Sequence, residues 1–139
     1  MQRLIATLAI SRYKQGVDVL VIDDAAAIRS RLRALVADVR GIDSVLEASN
    51  LPEARQLLAE RTPDVVVLDL HLRTGHGLEL LRDLKRDRSE IQVIVLTNDA
   101  TDHHRRSCTA LGADYFFDKS TQFEAVLQVL EREVRRRQL

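Results

Sequence analysis

Cysteine is nearly absent: Cys108 stands alone in 139 residues. An internal disulfide is therefore excluded, and a cytoplasmic location is the expectation. Only Arg106 and Ser107 flank the thiol, so it lacks the neighbouring base that nucleophilic catalysis needs, and a small buried residue or an ordinary surface thiol is expected. Net charge is missing as well. Lysines and arginines number 21 and acids 21, which leaves no general attraction toward nucleic acid or anionic membrane. The one basic run, Arg135-Arg136-Arg137, suits the negative end of a helix dipole better than a nucleic-acid patch. DNA binding would need a second domain, and the expectation is that none is present. No apolar run approaches the roughly 20 residues of a spanning helix, so no membrane partner is expected. The stretch from Leu4 to Ile10 is short for a signal core and runs into Ser11-Arg12-Tyr13-Lys14 without a cleavage site. Residues 1–16 are read as an N-terminal extension, suited to pack as a helix on the domain or on a partner. Proline is confined to Pro52 and Pro63, both at borders between elements, where a missing donor does least harm.

What remains is a chain with 45% hydrophobic and 30% charged residues, enough for one globular core and too apolar for disorder. Three runs, 17–22, 65–68 and 91–96, are short, β-branched and almost continuously apolar. They read as strands buried on both faces, the mark of a parallel sheet. Ser44 to Ala48 suits an outer strand, and Ala113 to Phe117 forms a fifth. Between them lie stretches of helical period. Ile28, Leu32, Leu35, Val36 and Val39 share one face, as do Phe123, Val126, Leu127, Leu130 and Val134. Thr121 and Glu124 have the form of a capping box for the last helix. Further helices are expected from Leu51 to Arg61, from Gly77 to about Lys85, and from about Thr101 to Leu111. The last of these has little apolar surface and should be the least firmly docked. The predicted fold is α/β, a doubly wound five-stranded parallel sheet with helices on both faces.

In such a sheet ligands bind where the carboxyl ends of the strands open. Asp23 and Asp24 follow the first strand, Asp69 the third, Thr97 the fourth and Lys119 the fifth. Three carboxylates on one edge repel unless a hard divalent cation joins them, and magnesium prefers such oxygen donors. A lysine supplies a point charge for a phosphoryl oxygen and a threonine a hydroxyl donor. Taken singly, Asp23-Asp24 or Asp69 could equally end a strand or cap a helix; Thr97 could satisfy a loop amide, and Phe116 could be plain core.

The chain resembles the receiver domains of bacterial two-component response regulators, flavodoxin-like in fold and CheY-like in motif. The likeness covers roughly Val17 to Leu130 and rests on Asp23-Asp24, Asp69, Leu96-Thr97, and Phe116 with Lys119. It implies a receiver over 17–134, standing alone, followed by a basic C-terminal tail over 135–139. It further implies phosphoryl transfer from a histidine kinase, or a phosphotransfer protein, to the phosphoacceptor Asp69. Asp24, Asp69 and the backbone carbonyl of His71 would bind Mg²⁺ directly, with Asp23 acting mainly through a metal-bound water. Lys119 and Thr97 would contact the phosphoryl group, and Thr97 with Phe116 would form the switch. His71 and Asp99 occupy positions that border the pocket in this family. The protein would not be an enzyme beyond its own phosphorylation and dephosphorylation. Output to an unidentified protein target, or a homodimer, would use the face of the fourth helix, fifth strand and fifth helix.

Two departures stand out. Ser120 follows Lys119 where the family usually has proline, often after a cis peptide that would cost about 3 kcal/mol before another residue. The loop after Asp69, His71 to Gly77, also lacks the proline of many relatives. Other functions fit less well. An aspartate-nucleophile phosphatase needs a second aspartate two places on, where His71 stands, and a cap domain. A flavin mononucleotide carrier needs a Ser-, Thr- and Gly-rich loop where this chain has Asp-Asp-Ala-Ala-Ala. A receiver that binds without phosphorylation would not need the complete acid set. His71, His76, His103 and His104 show no zinc-ligand spacing and are expected to be exposed polar residues, with His71 near the pocket.

Overall fold

A computed structural model describes residues 16–138; the extension expected over 1–16 lies almost entirely outside them. Five strands form one parallel sheet in the order β2-β1-β3-β4-β5. They are β1 (Val17–Ile22), β2 (Ile42–Ala48), β3 (Val65–Leu68), β4 (Gln92–Thr97) and β5 (Tyr115–Asp118). Five helices connect and flank them: α1 (Ala26–Ala37), α2 (Leu51–Glu60), α3 (Gly77–Asp87), α4 (Asp102–Ala110) and α5 (Ala125–Arg137). A two-residue hairpin, His71–Leu72 against Gly75–His76, fills the connection from β3 to α3.

The strand alternation sorts side chains onto two cores. Val17, Val19, Val21, Val65, Val67, Ile94 and Leu96 pack with α1 and α5. Leu20, Ile22, Val66, Leu68, Val93 and Val95 pack with α2, α3 and α4 on the other face. The central strands β1 and β3 are buried along nearly their whole length, whereas β2, at the edge, is half-exposed. That difference is why β2 has the weaker sequence signature. Helix α4 buries only Cys108, matching its poor apolar stripe. Burial pushes the Cys108 thiol up to about 11, which makes it a core residue rather than a nucleophile.

Several details differ from the sequence reading, among them the start of β2 at Ile42, two residues before Ser44. Strand β4 ends on Thr97 rather than before it, and β5 starts two residues late at Tyr115. Asp114 turns its carboxylate back onto the Val93 amide at 2.8 Å and the Lys85 ammonium at 2.9 Å, so it closes a turn and cannot extend the strand. The capping box at Thr121 and Glu124 does not form. Instead α5 begins at Ala125 without a side-chain cap. The connection is organised by Asp118, whose carboxylate accepts from the Ser120 amide and hydroxyl, while Gln122 accepts from the Asp118 amide. The Lys119–Ser120 peptide is trans, as are all others among the described residues. Arg135, Arg136 and Arg137 form the last turn of α5, where Arg136 pairs with Glu133 and Arg137 with Asp64.

Candidate functional site: an acidic pocket at the strand ends

Each site residue sits where a buried strand runs out. The pairing of β1 between β2 and β3 carries Asp23 and Asp69 to the same level. The Asp23 amide donates to the Ala48 carbonyl, and the Asp69 amide to the Ile22 carbonyl. The Lys119 amide likewise donates to the Thr97 carbonyl. The backbone ladder itself therefore delivers these side chains to one edge. Gly77 is required here for room: a Cβ on it would lie 2.6 Å from the Asp69 carbonyl oxygen. Only glycine lets α3 start this close beneath the loop.

Asp23, Asp69, Thr97 and Lys119 are all buried, and Asp24 is partly exposed. The Lys119 ammonium donates to Asp23 at 2.6 Å and to Asp69 at 2.9 Å. Burial works against the charge on Lys119, but the hydrogen bonds to Asp23 and Asp69 and the negative charges of both carboxylates together outweigh it and hold its pKa above the ordinary lysine value. Carboxylate oxygens of Asp23, Asp24 and Asp69 lie within 4.8 Å of one another. The second Asp23 oxygen accepts from the Ala25 amide at 2.8 Å, and an Asp24 oxygen accepts from the Arg73 amide at 3.0 Å. The second Asp69 oxygen accepts from the His71 amide at 3.3 Å. The Thr97 hydroxyl accepts from the Asp99 amide at 3.2 Å.

This donor set is all oxygen with a single buried cation, so the residues fit a hard divalent ion such as Mg²⁺ or Ca²⁺. The expected residues Asp23, Asp24, Asp69, Thr97 and Lys119 converge. Phe116, buried on β5 opposite Val95 of β4, has the Arg105 guanidinium 4.7 Å over its ring. Arg105 also donates to the Phe116 carbonyl at 3.3 Å, tying α4 to β5. Neither that contact nor the Arg73 amide on Asp24 left a sequence signal, since both join residues distant in the chain through backbone groups or a ring face.

The histidines correct the sequence reading. His71 and His103 are exposed, but His76 and His104 are half-buried, and His71, His76 and His104 converge on one another beside the pocket. Folding of the α4 first turn against the loop after β3 creates this cluster, which no spacing along the chain encodes.

Residues 19–131 match the family model described as response regulator receiver domain, and the chain belongs to that family. It is 34% identical over 106 residues to the phosphate regulon transcriptional regulatory protein PhoB of Pseudomonas aeruginosa, covering 75% of this chain and 45% of the relative. It is 33% identical over 113 residues to a protein-glutamate methylesterase/protein-glutamine glutaminase of Treponema denticola, covering 80% of this chain and 30% of the relative. The chain thus spans about a third to a half of the length of these curated relatives. Among solved structures, the receiver domain of a DNA-binding response regulator from Colwellia psychrerythraea superposes with a TM-score of 0.80 at 26% identity, covering 86% of this chain and 98% of that one. A response regulator from Burkholderia pseudomallei, described with a phosphorylated aspartic acid, calcium ion and citrate, has a TM-score of 0.74 at 28% identity, covering 86% of this chain and 69% of that one. Phosphorylation-dependent two-component signalling is the function of the family. No helix among the described residues is long and apolar enough to cross a membrane.

Proposed function

We propose that Asp69 is the phosphoacceptor and that Asp23, Asp24 and Asp69, with the backbone carbonyl of His71, hold Mg²⁺. The observation that carries this reading is the ammonium of Lys119 shared between the buried carboxylates of Asp23 and Asp69, with Asp24 alongside. Such a cluster is costly without a counter-charge. A bound Mg²⁺ supplies the charge that lets an anionic phosphoryl group approach.

An Asp69 carboxylate oxygen attacks the phosphorus of a phosphohistidine on a sensor kinase or phosphotransfer protein. The phosphorus–nitrogen bond breaks and its electron pair stays on the ring, whose other nitrogen already carries a proton, so that neutral imidazole leaves. Lys119 then turns from its carboxylates to a phosphoryl oxygen, and the Thr97 hydroxyl donates to another instead of only accepting from the Asp99 amide. Inward movement of Thr97 opens space for the Phe116 ring, and α4, anchored through Cys108 and Arg105, shifts with it. The receiver unit spans 17–134, and its output face is α4-β5-α5, facing an effector, a separate protein or a second copy. No chemistry beyond its own phosphorylation and dephosphorylation is assigned to this unit, no nucleic-acid or membrane contact is assigned to it, and its place is the cytoplasm.

The Burkholderia pseudomallei neighbour, with its phosphorylated aspartate and calcium ion, supports both the acceptor and the metal. The test is intact-mass measurement after incubation with acetyl phosphate and Mg²⁺. Wild type gains one phosphoryl group and Asp69→Asn gains none. A folded Asp69→Asn protein that still gains a base-labile phosphoryl group would refute the assignment.

A further inference from the structure

The three converging imidazoles are not donors of the oxygen pocket, which His71 meets only through its backbone, and their chemistry is different. His71 belongs to the short hairpin after β3, His76 is the N-cap of α3, and His104 lies in the first turn of α4. Their ring centroids are 5.1 Å apart for His71 and His76, and 5.8 Å from His104 to each. One ring nitrogen from each falls within 4.8 Å of those of the others. A carboxylate completes the group: Asp99 contacts Nε2 of His71 and lies 3.2 Å from Nδ1 of His104. Three imidazoles crowded together have no packing advantage over apolar residues, and they repel one another when charged. That repulsion is felt at His76, whose pKa is lowered by burial and then by His71 and His104.

We propose that His71, His76 and His104, with Asp99, form a binding site for a borderline transition-metal ion of the Zn²⁺ class, separate from the Mg²⁺ pocket. Three imidazole nitrogens are a donor set for Zn²⁺ or Co²⁺ and a poor one for Mg²⁺, which takes oxygen. Tetrahedral ligation at bond lengths near 2.1 Å places ligand nitrogens about 3.4 Å apart. From separations within 4.8 Å the nitrogens must draw in by at most about 1.4 Å, which is within reach because they sit on one hairpin loop and the first turn of a lightly docked helix. Asp99 supplies negative charge and accepts from the imidazoles, the support that metal-bound histidines usually have.

His76 pays for ligation in a specific way. Its Nδ1 now accepts from the Leu78 amide at 3.2 Å, so its ring proton resides on Nε2. Coordination through Nε2 moves that proton to Nδ1 and ends the cap on α3; coordination through Nδ1 ends it directly. Metal binding and the α3 cap are thus mutually exclusive. The ion would also tie the loop beside Asp69 to α4, since the His71 amide donates to Asp69 and the Asp99 amide to Thr97. The site itself stands whether or not Asp69 is phosphorylated.

The experiment is a Co²⁺ titration of the full, untagged chain, followed by visible absorption, in saturating Mg²⁺ to fill the oxygen-donor pocket. The expected result is one Co²⁺ per chain with the intense bands of tetrahedral coordination, displaced by Zn²⁺. Loss of a group that merely supports a metal ligand costs about 10–100-fold in affinity, and loss of a ligand should cost at least the upper end of that range. His76→Ala and His104→Gln should each reach it, with far-ultraviolet circular dichroism verifying the fold. His103→Ala, at the exposed neighbour, and Asp24→Asn, in the other pocket, should bind as wild type. The proposal is overturned by absent tetrahedral bands or by affinity no better than about millimolar. It is equally overturned if binding survives both histidine substitutions, or falls as much in His103→Ala or Asp24→Asn.

Discussion

Replacing Lys119 with methionine would test how the acidic pocket is held together in the absence of a divalent ion. Lys119 is 8% exposed, Asp69 7% and Asp23 3%, so removing the ammonium strands two buried carboxylates. With the 4.8 Å limit on their oxygen separations, each carboxylate pair repels by at least about 3.5 kcal/mol at an effective dielectric of 20. Breaking a buried ion pair from one side typically costs about 3–5 kcal/mol. For a domain of this size that corresponds to roughly 10–15 °C in Tm. The assay is thermal and urea unfolding by circular dichroism, with and without Mg²⁺. Lys119→Met should lose that stability without Mg²⁺ and recover more of it than wild type gains when Mg²⁺ is added. Adding Asp23→Asn to Lys119→Met should restore part of the loss in metal-free buffer. Because the Lys119 pKa is raised on folding, its contribution is fully present below the unfolded lysine value near 10.4 and is lost as pH rises through the folded value. Wild-type and Lys119→Met stabilities should therefore converge at strongly alkaline pH. A metal-free Lys119→Met protein as stable as wild type near neutrality would refute the view that this ammonium neutralises the pocket.

Asp24→Ala should respond to Mg²⁺ much less than wild type in the same unfolding assay, and equal responses would remove Asp24 from the ligand set. Gly77→Ala should destabilise by about 1–3 kcal/mol, as overpacking does, and should slow phosphorylation, because the new methyl must push the Asp69 carbonyl away; unchanged unfolding midpoint and rate would contradict the close approach. Exchanging His71 or Asp99 for alanine should change the rate at which the phosphoryl group hydrolyses, followed by mass after removal of acetyl phosphate, without blocking its formation. Hydrogen exchange with and without beryllofluoride and Mg²⁺ should change most between about Thr97 and Lys119, whereas changes confined to α2 and α3 would assign the output to another face.

How much of this was legible in the sequence depends on the range of the interaction that each feature needs. The runs at 17–22 and 65–68 became β1 and β3 residue for residue, because a strand buried on both faces must be apolar at nearly every position, Asp18 near the start of β1 being the partly exposed exception. The acid set was legible for the same reason: Asp23, Asp69 and Lys119 each interrupt or follow such a run, and a parallel sheet brings all its strand ends to one edge. Local polar chemistry was less faithful. Thr121 and Glu124 offered a cap, but the Thr121 amide that Glu124 would take already donates to the Asp118 carbonyl at 3.2 Å. At α2 the comparable pattern did form, with Asn50 accepting from the Glu53 amide and Glu53 accepting from the Ser49 amide. Similar residue types thus gave opposite outcomes, decided by which neighbour competed for the same donors. The histidine cluster lay beyond such a reading: His71 and His76 face each other across one short hairpin, but His104 comes from α4 and meets them only after the sheet has formed.

The weak docking of α4 follows from its composition and bears on how a signal could leave the pocket. A helix with one buried side chain is not fixed by a core, so polar contacts must hold its first turn and its position on β5. Thr101 caps it through the His104 amide at 3.1 Å, and the His104 ring lies 3.0 Å from the Asp99 carbonyl oxygen. Arg105 reaches across to the ring and carbonyl of Phe116. Beyond the Thr101 cap, these anchors end next to the proposed switch pair or on it: Asp99 is hydrogen-bonded to Thr97, and Phe116 is the aromatic partner. Contacts of this kind are individually worth only about 1 kcal/mol, far less than burial of a full apolar face. A movement of Thr97 by a few tenths of an ångström therefore acts on a helix whose alternative positions differ little in free energy, while the well-packed α2 and α3 on the same face of the sheet would resist the same displacement.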